Sequence, residues 1–573
     1  MDNHAIARIL GDIADLLEIK GENAFKIRAY RTAADSVGAW PDAVSRLDDK
    51  QLREIPGIGK DLAAKIRELT DTGACGFHEE LLREFPATLL DLLRLQGVGP
   101  KTVGLLYSSL NIRSLDDLTN AARRGALREL RGMGAKKEAL ILKALDERLQ
   151  DTGRHLLPDT ARVASQLMAY LQDGAPAVEF IPVGSLRRGC ETCGDIDVLA
   201  VGGERSSMDA FVEYPKVERV LGHGDTKASV RLSGGYQADL RLVPAESRGA
   251  AMQYFTGSKA HNIVLRDRAI QRGLKLNEYG LFRASDDTRI AGESEDGIYE
   301  ALGLHYVEPE LRENRGEIEA AQDGRLPRLV CIDDVRGDLH VHTTETDGRD
   351  DLETMANAAR LAGHEYVAVT DHSRALAMAN GLDEGRALRH AARIRALSNR
   401  LDGLTLLAGI ECDILADGRM DLANDCLAAL DFVIASVHSH FTMDEAQMTE
   451  RLLRAIENPW IDVLGHPTGR LLLKRKPYPF DLERVISAAA AAGIALEINC
   501  QTDRLDLNDT TARLARERGA RLVISTDAHS AIAFGNLRWG VHVARRAWAS
   551  ANDVLNTRSI EALRPMLRRN CAR

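Results

Sequence analysis

The chain has 573 residues, 45% of them hydrophobic and 28% charged, with a formal net charge of −10. That length exceeds what one hydrophobic core organises, so several domains are expected, and the ordinary polar–apolar mix excludes a fibrous or low-complexity chain. No apolar run is long enough to span a bilayer, the first residues lack the shape of a secretory signal, and eight mostly isolated cysteines exclude a disulfide framework. A cytoplasmic protein with no membrane partner is expected. The acidic total argues against a broad nucleic-acid surface, but not against local ones.

Three segments in the first 150 residues resemble one another: LREIPGIGKDLAAKIREL from Leu52, LLRLQGVGPKTVGLLYSSL from Leu92 and LRELRGMGAKKEALILKAL from Leu127. Each reads as a helix, a Gly-x-Gly turn and a second helix. The turn glycines are Gly57/Gly59, Gly97/Gly99 and Gly132/Gly134. Such a turn exposes backbone N–H groups at the start of the second helix, where the helix dipole also favours an anion. One turn of this kind would be mere packing. Three in tandem, with lysine at or next to each, point to helix-hairpin-helix modules gripping DNA phosphates without reading sequence.

Strand patterns follow from about residue 155: AVEFIPVGS, DIDVLAV, ASVRLS and QADLRLVP. A mixed segment leads to the charged stretch LRENRGEIEAAQDGRLPRLV, the best linker candidate. From Asp338 onward, short β-rich runs alternate with helical patterns, as in βα units.

Within DIDVLAV, Asp195 and Asp197 share one face of a strand, because residues i and i+2 point the same way. Two adjacent carboxylates need a cation, and a third acid on a neighbouring strand, Asp239 of QADLRLV, would complete a divalent metal site for phosphoryl transfer. Gly184-Ser185 and Arg187-Arg188-Gly189 just upstream supply a turn, a hydroxyl and guanidinium groups suited to a triphosphate. The intervening Cys190 and Cys193 have a metal-like spacing but no second ligand pair, and they precede a strand instead of opening a helix. They are read as incidental.

Ten of the sixteen histidines lie beyond residue 336. Nearly every polar cluster there ends a β-rich run, as in YVAVTDH, LLAGIEC, FVIASVH, IDVLGHP and LVISTDAH. In a βα barrel the C-terminal strand ends converge on one mouth. Nine ligands could therefore meet: His340, His342, Asp347, His372, Glu411, His438, His466, Asp527 and His529. Imidazole with carboxylate suits zinc, manganese or iron, and nine ligands imply up to three ions. His364, His390 and His542 are read as structural, and His440 as a phosphate contact of lesser weight.

On these motifs the first 315 residues resemble an X-family DNA polymerase core, similar to polymerase beta. The resemblance implies attack of a primer 3′-hydroxyl on the α-phosphate of a dNTP, with Asp195, Asp197 and Asp239 holding Mg2+ or Mn2+. Gly184, Ser185, Arg188 and Gly194 would cradle the triphosphate. AMQYFTGSKAHNIVLRDRAI resembles the family's nucleotide pocket, which implies Tyr254, Phe255 and Gly257 at the sugar, Asn262 at the base and Arg266 at the template. FKIRAYRTAADSV and PGIGKDLAAKI resemble the lyase domain, which puts Lys65 at the Schiff-base position with Lys26 and Tyr30 in support; Asp61 replaces a basic residue there. Two further departures are Gln237, where the family has an arginine supporting the third aspartate, and Gly297, which loosens a helix start.

The C-terminal clusters resemble the PHP (polymerase and histidinol phosphatase) family with every metal position filled, which implies phosphoester hydrolysis by a metal-activated water. The combination resembles the bacterial DNA polymerase X family, whose PHP domain supplies 3′–5′ exonuclease and in some members AP-endonuclease or 3′-phosphatase activity.

The expected fold is multidomain. It comprises an α-helical lyase-like domain (1–82), a fingers domain with two helix-hairpin-helix motifs (83–150), an α+β nucleotidyltransferase palm (151–252), a thumb (253–315), a linker (316–335) and a distorted (βα)7 PHP barrel (336–573). The expected partners are gapped or nicked double-stranded DNA and dNTPs, bound by a monomer. The competing reading is a PHP nuclease whose polymerase-like region only binds DNA.

Overall fold

The structure, a computed structural model, describes residues 3–40, 44–55, 57–86, 88–93, 98–130, 133–134, 137–142 and 153–568. The expected DNA contacts Gly97 and Gly132 lie outside the described residues. The chain forms two compact units, Met1–Thr152 and Gly153–Arg573.

The first unit is helical. Helix Asn3–Lys20 buries Ile6, Leu10, Ile13 and Leu17 along one stripe, and helix Ala24–Ala39 brings Tyr30, Ala33 and Val37 into the same core. That core continues through Ile66, Leu69, Leu81, Leu106 and Leu127. The expected boundary at 82/83 lies within this core. It falls inside helix Gly76–Glu84, and helices on both sides share one core.

In the second unit, β1 (Glu179–Pro182), β2 (Asp195–Val201), β3 (Val217–His223), β4 (Lys227–Leu232) and β5 (Gln237–Val243) form a sheet in the order β1-β2-β5-β4-β3. Only β2 and β5 are parallel neighbours. Ile196, Val198 and Ala200 pack with Leu167, Leu171, Met208 and Phe211 on one face, while Leu199 and Val201 pack with Ala251 on the other. Covered on both faces, β2 reaches solvent only at its Asp195–Asp197 end. The expected palm–thumb boundary at 252/253 cuts helix Arg248–Thr256. Helix Lys259–Gln271, a three-stranded sheet and helix Glu295–Ala301 complete the thumb. Gly297 does not disturb the last helix, whose Ser294 cap accepts the Gly297 N–H at 3.1 Å.

Residues 316–335 are not a free linker. Ile318, Ala320, Ala321 and Leu329 are buried in the thumb core together with Trp548, and Val330 joins the C-terminal core. Glu317, wholly buried, pairs with His261 at 2.7 Å.

Seven parallel strands follow in sequential order: β6 (Gly337–Val341), β7 (Tyr366–Val369), β8 (Thr405–Asp413), β9 (Phe432–Ser436), β10 (Val463–Leu464), β11 (Ala495–Asn499) and β12 (Leu522–Ser525). A parallel bridge between Val341 and Ala528, with the His342 N–H donating to the Ala528 carbonyl at 2.9 Å, nearly closes the barrel. Helices between the strands cover its outside, and the two-residue β10 marks its distortion. The C-terminal strand ends share one mouth.

Two candidate metal centres

In the palm, Asp197 of β2 stands opposite Asp239 of β5, and Asp195 stands opposite Gln237. Three carboxylates thus gather at one end of the sheet. Burial raises the Asp197 carboxyl, and the neighbouring charges of Asp195 and Asp239 raise it further, to about 7. The nearest compensating cation, absent from the sequence candidates, is Lys227 of β4, whose Nζ lies 2.8 Å from Asp239 Oδ2. Gln237 Nε2 makes only a long 3.4 Å hydrogen bond to the other Asp239 oxygen. Three clustered carboxylates, offset only in part by Lys227 and by Arg241 of β5, suit a divalent ion. Gly184, at φ +65°, approaches so closely that a Cβ there would stand 2.7 Å from Asp197 Oδ2.

The other nucleotide candidates are less uniformly placed. Gly194 directly precedes Asp195. The Ser185 hydroxyl is buried away from solvent. Arg188 is engaged elsewhere, donating from Nε to Glu313 at 3.0 Å and from Nη1 to the Thr256 carbonyl. Tyr254 and Phe255 meet edge-on at 5.0 Å, and Arg241 of β5 lies 4.5 Å from the Phe255 ring centre. Asn262 donates to the Tyr254 carbonyl at 2.7 Å. Gly257 has φ +69°, and Arg266 is exposed on its helix.

Burial pushes the Cys193 thiol up to about 11, and among the described residues no compact metal-ligand group includes either cysteine of the C-x-x-C. The residue between them matters more: Glu191 pairs with Arg470 of the barrel at 2.6 Å.

In the helical unit, Gly59 and Gly99 each cap a following helix without any side-chain cap, and both are exposed, so the first N–H groups stay open to an anion. Gly57 has φ +85°, and a Cβ there would stand 2.6 Å from Thr32. Gly134 has φ +53°. Lys65 pairs with Asp61 at 2.7 Å. Burial lowers its pKa, but the bond to Asp61 and the nearby Tyr30 outweigh burial and the net shift is upward. A Schiff-base nucleophile needs the opposite, so these surroundings do not support the lyase expectation.

All nine expected ligands converge at the barrel mouth. Glu411 sits among them, with His372 Nδ1 and His466 Nε2 each at 2.9 Å, His340 and His438 Nε2 at 3.3 Å and His342 Nε2 at 3.6 Å. Three overlapping groups are each compact enough for one ion: His342/Asp347/His372/His529, His340/His342/Asp527 and His372/Glu411/His438. The residues fit a metal cluster on independent grounds. His340 Nε2, both nitrogens of His342, and Nδ1 of His372 and of His466 are buried without a well-formed hydrogen bond. Burial disfavours charge throughout, yet neighbouring carboxylates hold His372 up to about 10 and His438 up to about 9. Burial, with His529 and His372 alongside, presses His342 down to about 4.

Sequence reading missed the residues that aim these ligands. Glu497 accepts from His340 Nδ1 and from the His466 backbone N–H, both at 2.7 Å. Asp413 meets His438 Nδ1 at 3.1 Å, and Asn499 donates to Asp527 at 3.0 Å. His390 contacts Asp371 at 2.9 Å, and Asp371 also accepts from Thr343 and Thr346. The signal for Glu497 was a charge inside the apolar run ALEIN. Such partners set ring orientation and ligand basicity.

A carboxylate-bearing palm and a histidine-rich barrel on one chain give an enzyme two candidate metal centres suited to phosphoester chemistry. Comparison with known families agrees. Residues 251–313 match the DNA polymerase beta thumb, residues 1–75 a helix-hairpin-helix domain, residues 89–147 a SAM-like helix-hairpin-helix tandem, and residues 338–501 the PHP domain. The chain is 36% identical over 573 residues to the DNA polymerase/3′-5′ exonuclease PolX of Bacillus subtilis (strain 168), covering 100% of both chains. A probable phosphatase of Shewanella sp. (strain ANA-3) is 33% identical over 208 residues, covering 35% of this chain and 78% of the relative. Another, of Thermoanaerobacter sp. (strain X514), is 30% identical over 218 residues, covering 34% and 86%. The chain belongs to the family X DNA polymerases that carry a PHP domain.

Proposed function

We propose that this chain fills short gaps in DNA with dNTPs at the palm and trims 3′ ends at the barrel. The observation that carries the synthetic half is the register of β2 on β5, which sets Asp195, Asp197 and Asp239 at one sheet end. Divalent ions, Mg2+ or Mn2+, would be held by these three residues and would offset charge on the reacting phosphate. Gly184 leaves room beside Asp197, and Arg241 steadies the Phe255 wall of the sugar pocket. Open N–H groups at Gly59 and Gly99 suit phosphates flanking a gap.

At the barrel, up to three Mn2+, Zn2+ or Fe2+ ions held by the nine ligands would activate water for phosphodiester hydrolysis. Glu497 and Asp413 keep His340 and His438 in their liganding orientation. The same chemistry extends to AP-site or 3′-phosphate removal. We read the protein as a cytoplasmic monomer; among the described residues no helix is long and apolar enough to cross a membrane.

A second reading, a PHP nuclease on a DNA-binding arm, draws on Arg188 being engaged by Glu313, on the buried Ser185 hydroxyl and on Gln237. A 5′-labelled primer in a one-nucleotide gap, with Mn2+ and with or without dNTPs, separates the two. The expected result is extension lost in Asp197→Ala alone and shortening lost in His342→Ala alone. Shortening without extension in the unaltered chain establishes the second reading.

A further inference from the structure

The loop after His466 reads GRLLLKRK, and four of its last seven residues are basic in a chain of net charge −10. Arg470 is neutralised by Glu191 and Lys474 by Asp503, at 2.6 and 2.8 Å. Arg475 forms no ion pair among the described residues, although the charge of Asp503 reaches it. Its Nε donates to the Gly469 carbonyl at 3.0 Å, and its guanidinium lies 4.2 Å from the centre of the Phe441 ring. Phe441 stacks in turn on Tyr478 at 6.2 Å. Gly469 permits this pile at φ +61°, since a Cβ there would stand 2.5 Å from Tyr478.

A second loop, after β11, lies alongside: the Leu472 N–H donates to the Asp503 carbonyl at 2.7 Å, and Arg470 holds the Arg504 carbonyl at 3.0 Å. The Arg504 guanidinium makes no hydrogen bond or ion pair among the described residues, and its charge reaches both His466 and Arg475. Lys476 is exposed beside them. Two half-buried guanidinium groups that form no ion pair among the described residues, one of them against an aromatic ring and the other near His466, are open to an anion.

We propose that Arg475 and Arg504, with Phe441 supporting the Arg475 guanidinium, form a docking surface for the single-stranded 3′ end of DNA, gripping the phosphodiesters that precede the bond to be cut. The surface names the strand-positioning part of the barrel site, and so it rests on the nuclease reading above. Because Arg470 ties the same loop to the palm turn through Glu191, the surface stands on the palm side of the mouth, where a frayed primer end would arrive. Phosphodiester contacts read no base, which suits trimming without sequence preference.

The test uses the full chain with Mn2+, comparing Arg475→Gln, Arg504→Gln, Phe441→Ala and Arg475→Lys. Shortening of a 5′-labelled single strand is measured as KM and kcat, strand binding by anisotropy against salt, and p-nitrophenyl phosphate hydrolysis in parallel. Each arginine-to-glutamine change should raise KM for the strand roughly five- to ten-fold, leave kcat within about two-fold, and flatten the log–log salt slope by about 0.7 for each phosphate no longer gripped. Arg475→Lys should regain the salt slope but not the full affinity, because lysine keeps the charge and loses the planar stack. Hydrolysis of p-nitrophenyl phosphate and bound metal should not change.

An unchanged strand KM and salt slope overturns the proposal. So does a loss confined to p-nitrophenyl phosphate, which would make these arginines a site for small phosphomonoesters. Equal loss on both substrates also overturns it, by placing them at the scissile phosphate itself. Absence of shortening in the unaltered chain refutes the nuclease reading instead, and anisotropy then still decides whether this surface holds a strand.

Discussion

The palm centre and the barrel centre both gather acids that a cation must offset, but they are held in opposite electrostatic states. In the palm three carboxylates crowd together with one lysine, and like charge with burial drives Asp197 up to about 7. In the barrel six imidazoles face three carboxylates. There burial raises Glu411 and Asp527, yet the histidines pull both well below the usual carboxylate range. The barrel ligands thus stabilise one another before any ion arrives, and Glu497, Asp413 and Asn499 fix their directions. The palm offers too few ligands for a complete shell, as expected where substrate phosphates supply the remainder. The barrel thus offers nine candidate ligands of its own where the palm offers three.

The strongest challenge to this contrast is to loosen the joint between the two regions. Arg546 of the barrel is buried. It donates to Glu313 and the Arg188 carbonyl at 2.9 Å, and to Asp509 at 2.8 Å. Arg546→Ala leaves two half-buried carboxylates short of a partner, at a cost of about 3 kcal/mol, the low end for a broken buried pair because Arg188 and Arg315 remain. A lowered denaturation midpoint should accompany reduced synthesis with shortening retained. If synthesis and shortening fall together, the two centres are coupled and the contrast between them is too sharp.

Acid tests how the thumb is held to the palm. Glu295 is buried between Arg187 and Arg312; burial raises its carboxyl, but the two guanidinium groups prevail and hold it down at about 2. A carboxylate depressed on folding adds stability that is full above the unfolded value near 4.5 and is lost as pH falls toward 2, on the order of 3 kcal/mol in total. The stability gap between the chelator-treated chain and its Glu295→Gln variant should therefore be constant near neutrality and close between about pH 4.5 and 2. A gap independent of pH would mean that packing, not charge, holds the thumb to the palm.

Glu497→Gln sharpens the barrel side. It keeps shape and one acceptor but removes the charge behind His340, so metal affinity and shortening should drop about 10- to 100-fold while gap filling persists. Metal titration read by shortening rate checks this, and an unchanged titration would assign Glu497 to packing alone.

The ligands themselves were legible because each ends an apolar run, where a charged side chain has few structural uses, and because strand ends of a βα barrel have one destination. Asp195, Asp197 and Asp239 were legible from the two-residue period of a strand. Their supporting partners were not, since Glu497 meets His340 across 157 positions and only the closed barrel joins them. The charged stretch around residues 311–330 read as a solvated linker for the same reason. Its acids answer partners far away in sequence, Glu313 with Arg546 and Glu317 with His261. Arg188 reads as free for a phosphate until the thumb supplies Glu313 and the Thr256 carbonyl.

Gln237 left a gap in the sequence reading, because a neutral side chain stands where the family keeps a cation beside the third aspartate. The fold answers from the neighbouring strand. Lys227 pairs with Arg241 in register, two positions along from Asp239, and such a diagonal is within reach of a long side chain. The ammonium therefore lands on Asp239 Oδ2, while the amide of Gln237 reaches only the other oxygen, and weakly. Lys227→Met should then act in two directions. Removing a positive charge beside the carboxylates favours a divalent ion by about 1 kcal/mol, so the Mg2+ concentration for half-maximal synthesis should fall roughly five-fold. Releasing Asp239 from its orienting partner should lower kcat at saturating Mg2+ by a similar factor, with shortening at the barrel unaffected. Opposite movement of the two constants is the signature of a lysine that both competes with the metal and aims its ligand. Parallel movement would make it a structural contact and leave Arg241 as the cation that offsets the palm carboxylates.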